Sequence, residues 1–260
     1  MSYENLQVEI QDGIAVVVIA REKALNALNS QTILELKHFF EEAAPAIEGL
    51  RGVVLTGAGE KSFVAGADIT EFQGLDAAQG RAFAQRGQEV FSSIERFPRP
   101  VVAAVNGFAL GGGCELAMAC HLRVAGERAR FGQPEVNLGL IPGYGGTQRL
   151  VQYIGKTKAM DLLMTAEIIG AGEAHQLGLV NCVVPSGAEV TKAKEMIEKI
   201  AAKAPIAIAQ IIETVHAYFE DGVDGFAAEL DAFGVCCGTA DFREGAAAFV
   251  EKRKAAFQGK

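Results

Sequence analysis

The sequence predicts an α/β protein in which a sheet-forming part is followed by an all-helical part. Three observations support this prediction. Short β-branched runs alternate with longer helical patterns over the first two-thirds of the chain. Two of these runs, residues 52–56 and 101–105, are almost entirely apolar, which is typical of strands buried on both faces. After Pro185 every pattern is helical, and this order favours an α/β core with a helical C-terminal region.

Turn and capping residues place the first elements. Residues 14–19 follow the turn Asp12-Gly13 and predict a strand. Ser30 is expected to cap a helix that continues to about residue 44, because the apolar residues that follow recur at helical spacing. The glycine-rich residues 57–74 predict a loop.

The middle of the chain alternates between helix and strand. A helix is expected from about residue 77 to about residue 97, because Pro98 and Pro100 would end it. Residues 112–119 predict a short helix that is nearly free of charge. Two further short strands are predicted at 122–125 and 129–131.

The change of pattern near residue 190 divides the chain into two parts. Residues 1–190 are expected to form the core that contains the functional site, and residues 191–260 to form the helical C-terminal region. Pro205 interrupts the helical pattern, as do the stretches near residues 221 and 238. No flexible linker is visible, so the boundary is predicted to be a change of architecture and not a hinge.

Composition excludes several classes of function. The 260-residue chain has a formal charge of −8, which argues against a nucleic-acid-binding protein with a basic face. No apolar run approaches the roughly 20 residues that a membrane span needs. The N-terminal residues resemble neither a signal peptide nor a transit peptide. The five cysteines show no disulfide-framework spacing, so we expect reduced thiols and a cytoplasmic protein.

The glycine run Gly111-Gly112-Gly113 is predicted to lie between a buried strand and a helix. Glycine lets a ligand approach the backbone closely, and the start of a helix offers unpaired N–H groups with a partial positive charge. Such a place binds a phosphate or a developing oxyanion. The phosphate alternative is weaker, because residues 57–62 only superficially resemble a phosphate-binding loop.

Two glutamates are candidates for proton transfer beside this glycine turn. Glu115 falls in the first turn of the nearly uncharged helix, where an acid that only compensates the helix dipole on the surface is the alternative. Glu135 follows Pro134, and from local sequence alone a solvated loop acid is the better interpretation. Gln133 and Asn137 could equally be turn residues.

Six segments, in this order along the chain, resemble the enoyl-CoA hydratase (crotonase) family. They cover nearly the whole sequence, and their number and order make the resemblance specific. The segments are residues 25–29, 63–69, 106–115, 131–135, 142–149 and 249–254.

The resemblance implies a crotonase-like fold, an acyl-CoA thioester as substrate, and no metal or redox cofactor. The fold would be a spiral of ββα repeats, followed by C-terminal helices that serve in trimer formation. Trimers of this family usually pair into hexamers, so a homo-oligomer built as a dimer of trimers is expected.

The resemblance also implies roles for individual residues. The backbone N–H groups of Ala67 and Gly112 would form the oxyanion hole, Glu115 would activate or hold the water, and Glu135 would protonate the α-carbon. Gly143 lies where a family glycine helps to hold that water. The implied substrate- and CoA-binding positions are Lys23, Ala24, Leu25, Ala65, Asp68, Ile69, Thr70, Gly143, Lys254 and Phe257.

The sequence departs from the family pattern at two positions. Thr70 stands where many relatives have a lysine that can approach CoA, which puts that CoA contact in doubt. His121 stands where many relatives have aspartate, and we expect it to be structural, because no catalytic partner for a histidine is apparent.

Because both acids of the family's hydratases are present, the resemblance implies reversible syn hydration of a trans-2-enoyl-CoA to a 3-hydroxyacyl-CoA, as in fatty acid metabolism and β-oxidation. The alternatives are an enoyl-CoA isomerase or another lyase of this family, and a non-enzymatic, RNA-binding relative. The net acidity and the two intact acids weigh against RNA binding. Chain-length preference is expected to depend on residues 73–88 and on Tyr144, and the resemblance is closest to short-chain enzymes.

Overall fold

The computed structural model describes residues 2–260 and contains two β-sheets flanked by helices. The strands of the described residues are β1 (Leu6–Gln11), β2 (Ile14–Ile19), β3 (Gly52–Gly57), β4 (Ser62–Val64), β5 (Val101–Val105), β6 (Phe108–Leu110), β7 (Leu122–Gly126), β8 (Arg130–Gly132), β9 (Ile169–Gly170) and β10 (Cys182–Val184). The α-helices are α1 (Ser30–His38), α2 (Ala77–Glu95), α3 (Gly112–Ala119), α4 (Gly146–Ile154), α5 (Lys156–Thr165), α6 (Ala171–Gln176), α7 (Glu189–Ala201), α8 (Pro205–Ala217), α9 (Gly225–Cys237) and α10 (Ala240–Glu251).

The strands form a six-stranded sheet in the order β1-β2-β3-β5-β7-β10 and a four-stranded sheet in the order β4-β6-β8-β9. Pairing is parallel except between β1 and β2 and between β8 and β9. In each of the pairs β3–β4, β5–β6 and β7–β8 the first strand joins the larger sheet and the second joins the smaller one. A helix follows the first two pairs, so the ββα repeats that the resemblance implied are confirmed.

The central strands of the larger sheet are buried on both faces. Every residue of β3 and β5 is buried, as their apolar sequences predicted. One face, with Leu55 and Ala103, packs in the main hydrophobic core. The other face, with Val54, packs against α7 through Ala193 and Ile197. Burial of each large aliphatic side chain stabilises the fold by about 1.5–3 kcal/mol.

The start of α1 differs from the prediction by one residue. Asn29, and not Ser30, is the N-cap, because its extended backbone lets its side-chain oxygen accept the N–H of Thr32 at 2.9 Å. The N–H and hydroxyl groups of Ser30 donate instead to the carboxylate of Glu71. The regular helix ends at His38 and continues as a wider π-helical turn over Phe39–Ala43.

The prediction of a loop over residues 57–74 was wrong in part. This stretch contains β4 and a 3₁₀ turn over Ile69–Phe72. A strand of three residues is too short to show a period in sequence, and β4 exists because it pairs with β6. β1 was not predicted either, although its sequence alternates apolar and polar residues from Leu6 to Gln11. It is an edge strand, and only Leu6 is buried.

The predicted boundary near residue 190 falls at the start of α7. That helix still packs on the larger sheet, whereas α8, α9 and α10 extend beyond it. A division of the chain at this point stays a prediction. No helix within residues 2–260 is long and apolar enough to cross a membrane.

The last three helices expose many large apolar side chains, which we call the C-terminal apolar surface. Its members are Ile211, Val215, Tyr218, Phe226, Leu230, Phe233, Phe249 and Val250. A cluster of this kind is typical of a protein–protein interface.

Candidate active site

The glycine run between β6 and α3 lets separate chain segments come together. Gly111 has φ 51° and ψ −125°, a conformation that only glycine adopts readily. A Cβ on Gly111 would lie 2.5 Å from Oε1 of Glu135, so the absence of a side chain admits that carboxylate. A Cβ on Gly113 would clash with the carbonyl oxygen of Val64, so α3 packs directly on β4.

The N–H groups of Ala67 and Gly112 lie at one place. Leu28 donates its N–H to Gly66 at 2.9 Å and accepts the N–H of Asp68 at 2.8 Å. In such a parallel bridge the N–H of Ala67 points away from Leu28. A Cβ on Gly112 would lie only 3.3 Å from the nitrogen of Ala67. Gly112 begins α3, where N–H groups have no intrahelical acceptor, so neither the helix nor the bridge to Leu28 uses these two donors.

An ion pair braces the segment that contains Ala67. Nη2 of Arg21 donates to Oδ2 of Asp68 at 3.0 Å. The hydroxyl of Thr70 donates to Oδ1 of the same carboxylate at 2.7 Å, and this bond, followed by the one from Arg21, lowers the pKa of Asp68. The oxygens of Asp68 are thus engaged within the protein, and its role here is to hold the turn.

Glu115 is buried in the first turn of α3, with only 1% of its surface exposed. Its Oε1 accepts the backbone N–H of Tyr144 at 2.8 Å and that of Gly146 at 2.7 Å. Gly145 between them has φ 101°, which turns both N–H groups towards the carboxylate. The alternative of a surface acid is therefore excluded.

Glu135 lies in a 3₁₀ turn over Pro134–Leu138, and its carboxylate points inward. Among the described residues its buried Oε2 has no hydrogen-bond partner, and neither polar atom of the Gln133 amide has one. Gln133 is itself 1% exposed, and its Nε2 lies 2.7 Å from the position that a Cβ on Gly146 would take. The interpretation of Glu135 as a solvated loop acid, favoured by local sequence, was therefore wrong.

Burial raises the pKa of both acids. The pKa of Glu115 rises to about 8, first because of burial and then because of the charge of Glu135, while the N–H groups of Gly146 and Tyr144 oppose the rise. Burial raises the pKa of Glu135 to about 7. Two carboxyl groups that interact in this way titrate as a pair. Near neutral pH the pair can therefore hold one proton and one negative charge, which suits an acid and a base acting together.

The predicted CoA-binding positions near the start of the chain lie beside Ala67. The N–H of Ala65 donates to the carbonyl of Leu25 at 3.1 Å, which places residues 23–25 next to residues 65–67. Lys23, Ala24, Ile69 and Thr70 are exposed at this rim. The carbonyl of Gly143 accepts Nε2 of Gln88 at 2.8 Å. Contact of these residues with CoA stays a prediction.

Lys254 and Phe257 lie in the C-terminal tail, which is folded back on α10. The ring of Phe257 lies 3.3 Å from the Cβ position of Gly245. The carboxylate of Asp241 accepts the N–H groups of Gln258 at 2.7 Å and Gly259 at 2.8 Å. These contacts hold the tail to its own helical region, and a contact with CoA stays a prediction.

His121 is structural by its contacts. Its Nδ1 accepts the N–H of Val101 at 2.9 Å, so Nε2 carries the proton and donates to the carbonyl of Glu95 at 2.9 Å. Burial lowers the pKa of His121 to about 4, so the ring is neutral at physiological pH. A neutral imidazole with both nitrogens bonded to backbone links α2 to β5 and leaves no nitrogen for catalysis.

Sequence reasoning missed how Glu115 is held. The N–H donors of Tyr144 and Gly146, and Arg149 beside them, come from a turn about thirty residues further along the chain. The signal that could have found them is the glycine pair Gly145-Gly146 before a helix, which predicts exposed N–H groups at a helix start.

A family model described as enoyl-CoA hydratase/isomerase matches residues 9–260. The chain belongs to this family. It is 47% identical to a protein of Syntrophomonas wolfei named crotonyl-CoA hydratase, over 100% of both chains. It is 48% identical to a short-chain-enoyl-CoA hydratase of Clostridium acetobutylicum, over 98% of this chain and 97% of the relative.

Solved structures of the enoyl-CoA hydratase/isomerase family share the fold. A crystal structure of an enoyl-CoA hydratase from Bacillus anthracis is 38% identical and superposes with a TM-score of 0.92, covering 99% of this chain and 100% of the other. A related structure from Geobacillus kaustophilus gives a TM-score of 0.93 at 38% identity, with 99% of both chains covered. These matches confirm the predicted α/β fold with its helical C-terminal region.

Proposed function

We propose that this protein is an enoyl-CoA hydratase that adds water, reversibly and in the syn sense, to a trans-2-enoyl-CoA to give a 3-hydroxyacyl-CoA. The observation that supports this most strongly is the pair of buried acids, Glu115 and Glu135, beside the N–H groups of Ala67 and Gly112. Hydration needs one group to take a proton from water and another to give one to carbon. Two acids with raised pKa values can do both.

The two N–H groups would stabilise the negative charge that builds on the thioester oxygen. Conjugation with the thioester makes the β-carbon of the substrate electrophilic, and addition of water there produces an enolate-like state. Loss of one such N–H donor typically costs about 3 kcal/mol of transition-state stabilisation. α3 begins at Gly112, so the positive end of its dipole is directed at the same oxygen.

The acids would divide the proton transfers between them. The water oxygen bonds to the β-carbon while its proton passes to ionised Glu115, and the proton of Glu135 passes to the α-carbon. With pKa values raised to about 8 for Glu115 and about 7 for Glu135, the shared proton rests mainly on Glu115, so the reacting form is the one in which this proton has moved to Glu135. The N–H groups of Tyr144 and Gly146 stabilise the carboxylate of Glu115 in that form, and the unpartnered Oε2 of Glu135 carries the proton. Turnover leaves Glu115 protonated and Glu135 ionised, so one proton returns between them before the next cycle.

An aromatic wall supports a short acyl chain. The ring of Tyr144 lies 5.3 Å from that of Phe91 and 5.9 Å from that of Phe83, centroid to centroid. A Cβ on Gly87 would clash with this ring, so α2 closes directly on it. The ring also lies 3.4 Å from the Cβ position of Gly112, beside the proposed oxyanion site. We infer a preference for short enoyl thioesters in fatty acid metabolism.

The test is a rate series with enoyl-CoA substrates of increasing chain length, followed by the loss of the ultraviolet absorbance of the conjugated thioester. We expect the highest kcat/KM with crotonyl-CoA. Absence of hydration with every substrate, together with retention of RNA by the protein, would overturn the proposal in favour of a binding protein. Conversion of a 3-enoyl-CoA without any hydration would favour an isomerase instead.

The proposed reaction needs only the acyl-CoA substrate, water and groups of the protein, so we propose no metal or redox cofactor. We also propose a homo-oligomer, a trimer or a dimer of trimers, because the C-terminal apolar surface needs cover. The free thiols of the chain support a reducing compartment such as the cytoplasm.

A further inference from the structure

We propose that Arg149, paired with Glu95, is a positioning residue that holds the turn from Tyr144 to Gly146 and, through this turn, Glu115. The inference rests on the proposed hydratase function, because it assigns Arg149 a part in keeping Glu115 ready to accept a proton. Four structural observations lead to it.

The first observation is that Glu115 is oriented from outside its own helix. Its Oε1 is fixed by the N–H groups of Tyr144 at 2.8 Å and Gly146 at 2.7 Å. The direction of the carboxylate therefore depends on where this turn lies. A displacement of about 1 Å at a reacting group can reduce the rate by about 10²-fold, so whatever fixes the turn contributes to the rate.

The second observation is that the turn is folded around the guanidinium of Arg149. Nη1 donates to the carbonyl oxygen of Tyr144 at 2.8 Å, on the same residue whose N–H binds Glu115. Gly145 has φ 101°, and a Cβ on it would clash with Nη1. The guanidinium thus occupies the place that any side chain at position 145 would need, and it sets the curvature of the turn.

The third observation is that the guanidinium is itself fixed by α2. Nε lies 3.2 Å from each carboxylate oxygen of Glu95, and Nη2 lies 2.8 Å from Oε2. The side chain of Arg149 is 8% exposed and that of Glu95 is 20% exposed. A planar, multiply bonded and largely buried pair of this kind keeps one geometry, which a lysine could not reproduce.

The fourth observation concerns charge. The groups that act on Glu115 are the carboxyl group of Glu135, the neutral side chains of Tyr144 and Cys114, and the guanidinium of Arg149, which Glu95 partly neutralises. The guanidinium lowers the pKa of Glu115 against the effect of burial. Loss of the positive charge would therefore raise the pKa of Glu115, and loss of the negative charge of Glu95 would lower it.

Opposite charge changes give the test its direction. In a plot of kcat/KM against pH, the rise on the acid side (the acid limb) reports the pKa of the base in the free enzyme. We expect Arg149→Gln to move this limb to higher pH and to reduce kcat by about 10- to 100-fold with little change in KM. Glu95→Gln should move the limb to lower pH. Arg149→Lys should keep the acid limb near its wild-type position while kcat falls, because the positive charge remains but the planar guanidinium, with its several hydrogen bonds to Glu95, is lost.

Gln88→Met is the matched control. Nε2 of Gln88 donates to the carbonyl of Gly143 at 2.8 Å, so this variant removes a bond to the neighbouring carbonyl without changing charge, and its acid limb should not move. If Arg149→Gln and Glu95→Gln both keep the wild-type limb and kcat while only their melting temperatures fall, the pair is merely structural and the proposal is wrong. If Arg149→Gln does not fold, Glu95→Gln alone tests the proposal: an acid limb that moves to lower pH supports it, and an unmoved limb contradicts it.

A second measurement separates this proposal from the proposed function. Infrared difference spectra recorded against pH, with Glu115→Gln and Glu135→Gln as references for assignment, report the ionisation of Glu115 without any turnover. Should the wild-type protein hydrate no enoyl-CoA, the hydratase function fails. The coupling of Arg149 to Glu115 would still be decided by whether the band of Glu115 titrates at higher pH in Arg149→Gln.

Discussion

At the scale of single residues, the two glutamates are distinguished by what surrounds them. Glu115 has two N–H donors on one oxygen, while Oε2 of Glu135 is buried without a partner among the described residues. Local sequence could predict the setting of Glu115, because its helix has no charged face. It could not predict Glu135, because the groups that bury this acid come from distant segments such as Gly111.

The first prediction concerns the proposed acid. Glu135→Gln should reduce kcat by about 10²- to 10⁴-fold, because the α-carbon loses its proton donor. The fold and the affinity for CoA should change little, since the replacement keeps the size of the side chain. Steady-state kinetics with crotonyl-CoA and calorimetric titration with CoA measure the two effects. A variant with near-wild-type turnover would show that Glu135 is not the acid.

The same acid should make stability depend on pH. Its pKa is raised to about 7 in the folded protein, so the stability linked to its proton is present at low pH and is lost as pH rises towards and through that value. Glu135→Gln has no titrating group at this position and so does not lose this stability. Between about pH 5 and about pH 8, its free energy of unfolding should rise relative to that of the wild type by roughly 1–3 kcal/mol, at about 1.4 kcal/mol per unit of pKa shift. Urea unfolding of both proteins at the two pH values measures the gain. If the free energies of unfolding of the variant and the wild type differ by the same amount at both pH values, the pKa of Glu135 is not raised.

At the scale of elements, the longer strands and helices of the core could be predicted, but short strands such as β4 and the contacts between elements could not. The strands at 14–19 and 101–105 were predicted from residue type alone and form β2 and β5. The turn that holds Glu115 has no such pattern, because its function lies in backbone N–H groups that only the folded chain brings to α3. Sequence therefore predicted the helix that presents Glu115 and missed the turn that orients it.

The glycines at the start of α3 should respond differently to substitution. Gly113→Ala should unfold or strongly destabilise the protein, because the new Cβ would clash with the backbone carbonyl of Val64. Gly112→Ala should fold, since its Cβ would meet Ala67 and Tyr144 at 3.3 and 3.4 Å, but the methyl group would crowd the N–H of Ala67. We expect its kcat/KM to fall by about 10²- to 10³-fold, as on loss of one oxyanion donor.

Thermal unfolding and kinetics of the two variants, measured side by side, test this difference. Each variant is the matched control of the other, because both add one methyl group in the first turn of the same helix. Full activity in Gly112→Ala would contradict the placement of the oxyanion site.

At the scale of the whole molecule, the spiral of ββα repeats gathers the site from segments far apart in sequence. Three strands of the four-stranded sheet are each followed, two or three residues after their last residue, by a residue of the site. Ala67 follows β4, Gly112 follows β6 and Glu135 follows β8. Parallel pairing of these strands aligns their ends, so three successive repeats bring two backbone N–H groups and a carboxyl group together, as the proposed function requires. The sequence shows no internal repeat, so this convergence could be expected only from the family resemblance.

The last prediction concerns the C-terminal apolar surface. Phe226 is 86% exposed and Leu230 is 75% exposed, one turn apart on α9. Charges placed in an apolar interface are desolvated without a partner, so the double variant Phe226→Asp/Leu230→Asp should be monomeric. Leu34→Asp, at a 56% exposed position on α1, is the control and should keep the wild-type assembly. Light scattering after size-exclusion chromatography measures both masses.

The same variant tests whether the tail meets CoA across an interface. Lys254 and Phe257 lie in the tail that packs on α10, and we predict that any contact they make with CoA is to the CoA of a neighbouring protomer. A folded monomer should then show a raised KM for acyl-CoA with its two glutamates still in place. Monomers with an unchanged KM would assign CoA binding to residues 23–25 and 65–70 of the same chain. A wild-type protein that is already monomeric would show instead that the C-terminal apolar surface serves another partner.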